Sequence, residues 1–530
     1  MNEFNDTEEI NTGDPLQPDI RISVTNFGPI KSGSIDLRPL SVFVGPSNTG
    51  KTYFAILVYA LRGILGGFPR LPVMYSYQHR FFGQGGNLNL FTTTADALVE
   101  ELQGTLRKLD REGALLDFSD LPKSIRDIAQ AVLDDPDSLG AIFKTELQRC
   151  FDLDSVSDLV RLSRRANMNI SLAASEKSRS LWHYQMEVSG AKISTHGHIE
   201  DMGLFPNGLP IEVSEFRQGL SDFRELIKER QGHDSVWDSQ FLLDLFEELI
   251  CLTAVNRRSE THYLPAARSG IMQSHRVIAS SLVARSTRGG LDLLPELPTI
   301  SGVMADFMQR LILYEESRGR DESIKDLADA LESGTLAGKI ATRMAQGGGY
   351  PEFVYRPEKS KRDIRLTRAS SMVSELAPIV LFLRGAVSPG DMLIIEEPEA
   401  HLHPAAQTQI ARTLARLVRA GVKVVVTTHS DWLLMEIANL MREGELEELA
   451  ENRGGDTAES STLRPSEVGV WLFRESGDAS GSTIEEIPFD RSEGIEPQEY
   501  ENVAEALYNR SATLQNRFEE LAGAAEREQE

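Results

Sequence analysis

The chain has 530 residues, 41% hydrophobic and 25% charged, with a formal net charge of -25. That length suits two to four structural units with a substantial core. The acidic balance argues against a body-wide grip on nucleic acid, which needs clustered Lys and Arg, so any such contact would be local or belong to a partner. Two widely separated cysteines, Cys150 and Cys251, exclude a disulfide scaffold and a Cys-based zinc site and fit a cytoplasmic protein.

Residues 1–18 are acidic and polar, lack the basic and apolar regions of a secretory leader, and read as disordered. Order begins at Ile20, where apolar and polar residues alternate to Thr25 as in a half-buried strand. Ser34–Leu37 and Leu40–Val44 give two more strands, the last running into a glycine-rich loop and then an apolar helix. The apolar runs Tyr53–Phe68 and Leu376–Leu383 are shorter than the roughly 20 residues that span a bilayer, so no membrane segment is expected.

Residues 95–345 read as a mainly helical insertion. Helices are expected at Ala97–Leu109, Ser124–Leu133, Val213–Glu229 and Ser239–Leu252, with short strands at Asn169–Ala173, Trp182–Val188 and Lys192–Thr195. Glu352–Arg356 and Arg362–Thr367 resemble a hairpin, whose Arg356, Lys359, Lys361, Arg362, Arg365 and Arg368 read as a solvated face. A helix from Ser374, a buried strand at Met392–Ile395, a helix at Pro404–Ala420 and a strand at Val422–Thr427 follow. Strand–helix–strand with short links implies a parallel sheet. A last helix from about Pro497 carries the stripe Val503, Leu507, Leu514, Phe518 and Leu521, expected to pack on the head or, as the alternative, to bind a partner.

Three motifs carry chemistry. Gly45-Pro46-Ser47-Asn48-Thr49-Gly50-Lys51-Thr52 satisfies G-x-x-x-x-G-K-[ST] between a strand and a helix. Its backbone N–H groups would cradle phosphates, Lys51 would reach the β- and γ-phosphates, and Thr52 would ligate Mg²⁺. Met392-Leu393-Ile394-Ile395-Glu396-Glu397 is a buried strand ending in two carboxylates at the sheet edge where ligands bind. Glu396 would hold the Mg²⁺ through water, and Glu397 would orient and polarise the attacking water. One crossover later, Thr427-Thr428-His429-Ser430 places a histidine on the same edge, within reach of a γ-phosphate. No Asn-Lys-x-Asp motif for guanine is present, which favours ATP.

The segments NFGPIKSGSIDLRPLSVFVGPSNTGKT, LIIEEPEAHLHP and VVVTTHSD, with the patch Tyr263–Gly270, resemble the ABC-type ATPases of the RecF, SMC and OLD group, and among them the compact prokaryotic AAA-family ATPases. The resemblance implies an α/β P-loop head with a mixed sheet, mostly parallel in its core, plus an antiparallel β lobe. Its halves would be residues 19–94 and 346–490, split by the insertion, with residues 491–530 as a C-terminal helix and tail. It implies Lys51 and Thr52 as Walker A, Glu396 and Glu397 as Walker B, His429 as the switch histidine and Ala400–His403 as the D-loop. Such heads pair on ATP, each capping its partner's nucleotide with a signature, here Ala369–Leu376, where Ser370 and Ser371 would be the donors. Met372 stands where the family usually has glycine, and the Q-loop counterpart is open, with the patch around Arg268 as one candidate.

No TOPRIM-like Asp-x-Asp pair follows His429, and Asp152-Leu153-Asp154 reads as a helix surface. The resemblance thus implies a homodimeric ATP-driven switch in anti-phage defence or DNA maintenance, beside a separate effector protein. A RecF-like DNA-binding repair ATPase, an ATP-sensing regulator with little turnover and a transporter subunit are the competing readings.

Overall fold

A computed structural model describes residues 19–65, 95–108, 139–161, 167–199, 260–274, 300–314, 322–343, 351–451, 461–476, 481–495 and 506–518, apart from short breaks, with small pieces near 115, 124 and 211. An eleven-stranded mixed sheet organises most of them. Strands β1 (Asp19–Phe27), β2 (Ile30–Leu37) and β3 (Leu40–Val44) lead into helix α1 (Lys51–Leu65). Helix α2 (Ala95–Lys108), a two-residue strand β4 (Leu115–Leu116) and α3 (Leu139–Phe151) follow.

Three long strands, β5 (Met168–Glu176), β6 (Arg179–Ser189) and β7 (Lys192–Ile199), come next. They are joined to the main sheet by antiparallel pairing of β5 with β1. The middle of the chain therefore carries long sheet strands as well as helices. After β8 (Ile211–Glu212), which pairs only with β4, β9 (Thr261–Leu264) forms the far edge of the main sheet. Helices α4 (Gly302–Ile312) and α5 (Glu322–Leu331) precede a small antiparallel sheet of β10 (Gly338–Arg343), β11 (Glu352–Pro357) and β12 (Ile364–Arg365).

The remaining elements are α6 (Ser371–Gly385), β13 (Met392–Glu396), α7 (Pro404–Arg419), β14 (Lys423–Thr427), α8 (Asp431–Glu451), β15 (Val468–Glu475) and β16 (Ser482–Glu486). The main-sheet order is β7-β6-β5-β1-β2-β16-β15-β3-β14-β13-β9. From β15 to β9 every neighbouring pair is parallel, and from β7 to β2 every pair is antiparallel. This is the mixed sheet with a parallel core and an antiparallel lobe expected from the sequence.

The sheet is apolar on both faces because helices cover both, as parallel sheets require. Leu393 and Ile395 of β13 and Val424 and Val426 of β14 face a core shared with α6, α7 and α8. Met392, Ile394 and Val425 face the opposite core, with Phe54, Leu57 and Val58 of α1. The period-two alternation of a strand thus splits one run of apolar residues between two cores. On α7 the buried face contains Ile410, Leu414, Leu417 and Val418, the stripe seen in the sequence, and Gly421 follows with φ +78° as a helix-ending residue.

Several expectations change. Helix α6 starts at Ser371 rather than Ser374, because the Ser370 hydroxyl caps it by accepting the Val373 N–H at 3.4 Å. Asp152 and Asp154 lie in the turn that ends α3, not on a helix surface. The expected helices at 213–229 and 239–252, most of that at 124–133, and residues 1–18 lie outside the described residues. At the C-terminus, residues 506–518 are helical, but Leu507 (61% exposed), Leu514 (48%) and Phe518 (73%) do not pack on the head. In the basic hairpin, Arg356 pairs with Asp363 and Arg365 with Glu352, and Lys359, Arg362 and Arg368 are exposed. No helix among the described residues is long and apolar enough to cross a membrane.

Candidate nucleotide site

The loop after β3 is shaped by backbone that L-residues resist. Gly45 has φ +130°, and a Cβ there would lie 2.3 Å from the Phe473 carbonyl oxygen of β15. Gly50 has φ +104° and closes the turn onto the first residue of α1. The Lys51 ammonium donates to the carbonyl oxygens of Gly45 and Pro46, both at 2.7 Å, and the Thr49 hydroxyl donates to Pro46 O at 2.8 Å. Ser482, at the start of β16, braces the loop by donating its hydroxyl to Thr49 O at 2.5 Å. Burial pushes the Lys51 ammonium down to about 8 despite the opposing pull of Glu397 and Glu399.

Strand β13 delivers the two carboxylates to different places. Glu397, with φ +42°, is held by its N–H donating to Thr427 O at 2.9 Å, and it lines the same cavity as Lys51. Glu396 turns inward. Its carboxylate accepts the Tyr263 hydroxyl and, at 3.3 Å, the Ala266 N–H, and it is not part of the cavity lining. Burial raises the Glu396 pKa, and it pushes the Tyr263 phenol well up as well.

Below the carboxylates lies Arg268, fully buried. Its guanidinium donates to the carbonyl oxygens of Glu396, of Glu397 at 3.0 Å, of Pro265 at 3.1 Å and of Glu375 at 3.3 Å. The Glu375 carboxylate is 3.3 Å from it. Burial lowers its pKa, opposed by Glu375 and then Glu396. Arg268 thus ties β9, the end of β13 and helix α6 together and does not face the cavity, which removes its side chain as a Q-loop candidate.

His429 leaves β14 on the cavity side. Its backbone N–H donates to Glu399 Oε1 at 2.8 Å, and the Thr428 hydroxyl donates to the same oxygen at 2.7 Å. Burial lowers the imidazole pKa, and the Lys51 charge lowers it further, opposed by Glu397. Glu399 was not singled out in the sequence. The only signal for it was a third carboxylate in Glu396-Glu397-Pro398-Glu399, and its role emerges once β13 and β14 are seen side by side.

A cavity of about 980 Å³ unites these groups, lined by the loop from Ser47 to Thr52 with Glu397, Thr427 and His429. Ser370 and Ser371 stand outside it, exposed at the N-terminus of α6. Met372 packs against the core beneath that helix rather than over its exposed end. In the segment Ala400–His403, His401 has φ +61° and the His403 ring accepts the Ala405 N–H at 3.2 Å, which starts α7.

Residues 272–434 match the family described as the AAA ATPase domain, a stretch that includes Glu396, Glu397 and His429. The chain contains a P-loop ATPase domain.

No curated protein sequence matches the chain. Among solved structures, similarity is found to the SMC head bound to the C-terminal winged-helix domain of ScpA, at 9% identity and a TM-score of 0.41, covering 90% of this chain and 99% of that one. An SMC head from Pyrococcus furiosus with an extended coiled coil, bound to the C-terminal domain of ScpA, gives 10% identity and 0.36, covering 93% and 100%. The SMC head domain from Thermotoga maritima gives 11% identity and 0.31, covering 89% and 99%.

Of the residues expected in the ATPase site, the structure brings Ser47 to Thr52, Glu397 and His429 around one cavity. Gly45 and Pro46 shape the loop and hold the ammonium. Glu396, Ser370 and Ser371 are not brought there.

Proposed function

We propose that the ATPase works as an ATP-dependent pair of heads of ABC type. The observation that carries this reading is the position of Ser370 and Ser371. They stand exposed at a helix N-terminus, outside the cavity of their own chain. Donors placed there serve a nucleotide held by a second copy, with the positive end of α6 adding to their pull on a γ-phosphate.

Within one head, the Ser47–Thr52 backbone and Lys51 bind the phosphates, Glu397 orients the attacking water and accepts its proton, and His429 donates to the γ-phosphate. Glu399 is a positioning residue that fixes His429 through its backbone. Thr52 borders the cavity and fits a Mg²⁺ ligand. Glu396 does not fit that role in this arrangement, since both carboxylate oxygens accept hydrogen bonds from Tyr263 and Ala266. When bound, the ion supplies charge neutralisation on the phosphates. Closure of two heads around two ATP molecules and reopening after hydrolysis make a mechanical switch. A role in anti-phage defence or DNA maintenance, with a separate effector, follows from the resemblance of the motifs alone.

The test is the solution mass of Glu397→Gln by light scattering, with and without ATP. A doubling on ATP, lost when Ser370 and Ser371 are both replaced by Ala, is expected. A monomer at saturating ATP contradicts the pairing.

A further inference from the structure

The phosphate end of the cavity is accounted for by the P-loop, Glu397 and His429. Its wall also includes residues from a segment with no part in that chemistry, Asp158, Val160 and Arg161, which follow α3 in the chain. This segment is bound to the turn between β1 and β2. The Gly28 N–H donates to Leu159 O at 2.7 Å, and the Arg161 N–H donates to Asn26 O at 3.0 Å. That turn lies on the ring of Tyr53, since a Cβ at Gly28 would be 2.6 Å from it. Tyr53 lies beyond Lys51 and Thr52 in α1. The segment therefore sits, through that turn, beside Tyr53 in the first turn of α1.

Arg161 ends that segment and lines the cavity. Its guanidinium has no hydrogen bond or ion pair among the described residues, although Asp158 is only three residues away and lines the same cavity. It rests over Gly481, where an added Cβ would be 2.9 Å from Nε. The carboxylate of Asp158 is engaged only through Oδ2, which accepts the Ser155 N–H at 3.3 Å. The Tyr53 ring, which lines the same cavity, is packed by Phe151 at 5.4 Å and Phe27 at 6.2 Å.

We propose that Asp158 and Arg161 form the nucleoside subsite of this cavity, with the planar Arg161 guanidinium stacking on the purine base and Asp158 accepting a hydrogen bond from the nucleoside. This rests on the reading of the cavity as the ATP site. A guanidinium suits this task because it is planar, weakly hydrated and permanently charged, and stacking of a cation on an aromatic face is strongest where water is excluded.

The experiment is calorimetric titration of the full chain with ATP and, separately, with inorganic tripolyphosphate, for wild type, Arg161→Ala and Arg161→Lys. Arg161→Ala is expected to weaken ATP binding by about five- to tenfold and to leave tripolyphosphate binding unchanged. Arg161→Lys is expected to recover little, because an ammonium does not stack as a plane. Equal losses for both ligands would reassign Arg161 to the phosphates and overturn the proposal, as would unchanged ATP binding in both variants. If Arg161→Ala does not fold, Arg161→Lys alone decides by the same ratio of the two ligands. Wild type that binds tripolyphosphate and ATP equally well removes the nucleoside subsite, whereas wild type that binds neither removes the reading of the cavity itself.

Discussion

Lys51 and Glu397 line one cavity, and the Glu397 charge acts on Lys51. Burial weakens the hold of Lys51 on its proton, and the carboxylates only partly restore it. Its pKa of about 8 in the folded protein lies below the ordinary 10.5. Between those values the unfolded chain holds the extra proton, so the Lys51 contribution to stability rises with pH. ATP binding needs the ammonium and runs the other way. Affinity measured by titration is expected to fall as pH rises through about 8, and Lys51→Met should bind weakly with that slope gone; an unchanged slope in the variant would assign it to another group. For Glu397→Gln, ATP binding should persist while turnover falls by about 10²- to 10⁴-fold, the usual scale for removing a general base. A fall below tenfold, measured by phosphate release, would leave the water to another residue.

Among the elements, the end of β13 shows how a parallel sheet turns one strand into two kinds of carboxylate. Glu396 is the last strand residue and points into the protein, and Glu397 breaks from the strand with positive φ and reaches the cavity. Arg268 secures both by binding their carbonyl oxygens, and binds α6 through Glu375. Removing it leaves these acceptors and a buried carboxylate unmatched. Arg268→Met is therefore expected to lower stability by about 3–5 kcal/mol, the range for breaking a buried ion pair. Denaturant unfolding measures this, and a loss below about 1 kcal/mol would mean that water replaces the guanidinium.

The sequence disclosed the P-loop because Gly45, Gly50 and Lys51 act through local backbone shape, which neighbours in sequence specify. It disclosed β13, α7 and β14 because period and turn residues agree. It could not place Glu399, Tyr263 or Arg268, whose partners are brought together only by strand pairing. Nor could it show that β5, β6 and β7 extend the main sheet, since pairing with β1 is a contact between distant segments. The exposed helix at 506–518 exposes the same limit: an apolar stripe shows that a surface needs a partner, not that the head supplies one.

At the scale of the whole molecule, Ser370 and Ser371 are exposed and do not line the nucleotide cavity of their own chain, and that is the reason to expect two copies to work together. An acidic chain with a charge of -25 repels its own copy, so pairing should depend on ATP and strengthen with salt. Sedimentation at 50 and 300 mM salt checks this, and weaker pairing at high salt would point to attractive charge pairs across the interface. The most direct measurement is the ATP turnover rate per molecule as a function of protein concentration, with Glu397→Gln alongside. Paired heads require the rate per molecule to rise with concentration and then level off, with the variant inactive throughout. A rate per molecule that is constant at all concentrations would contradict the pairing and make each head a complete enzyme by itself.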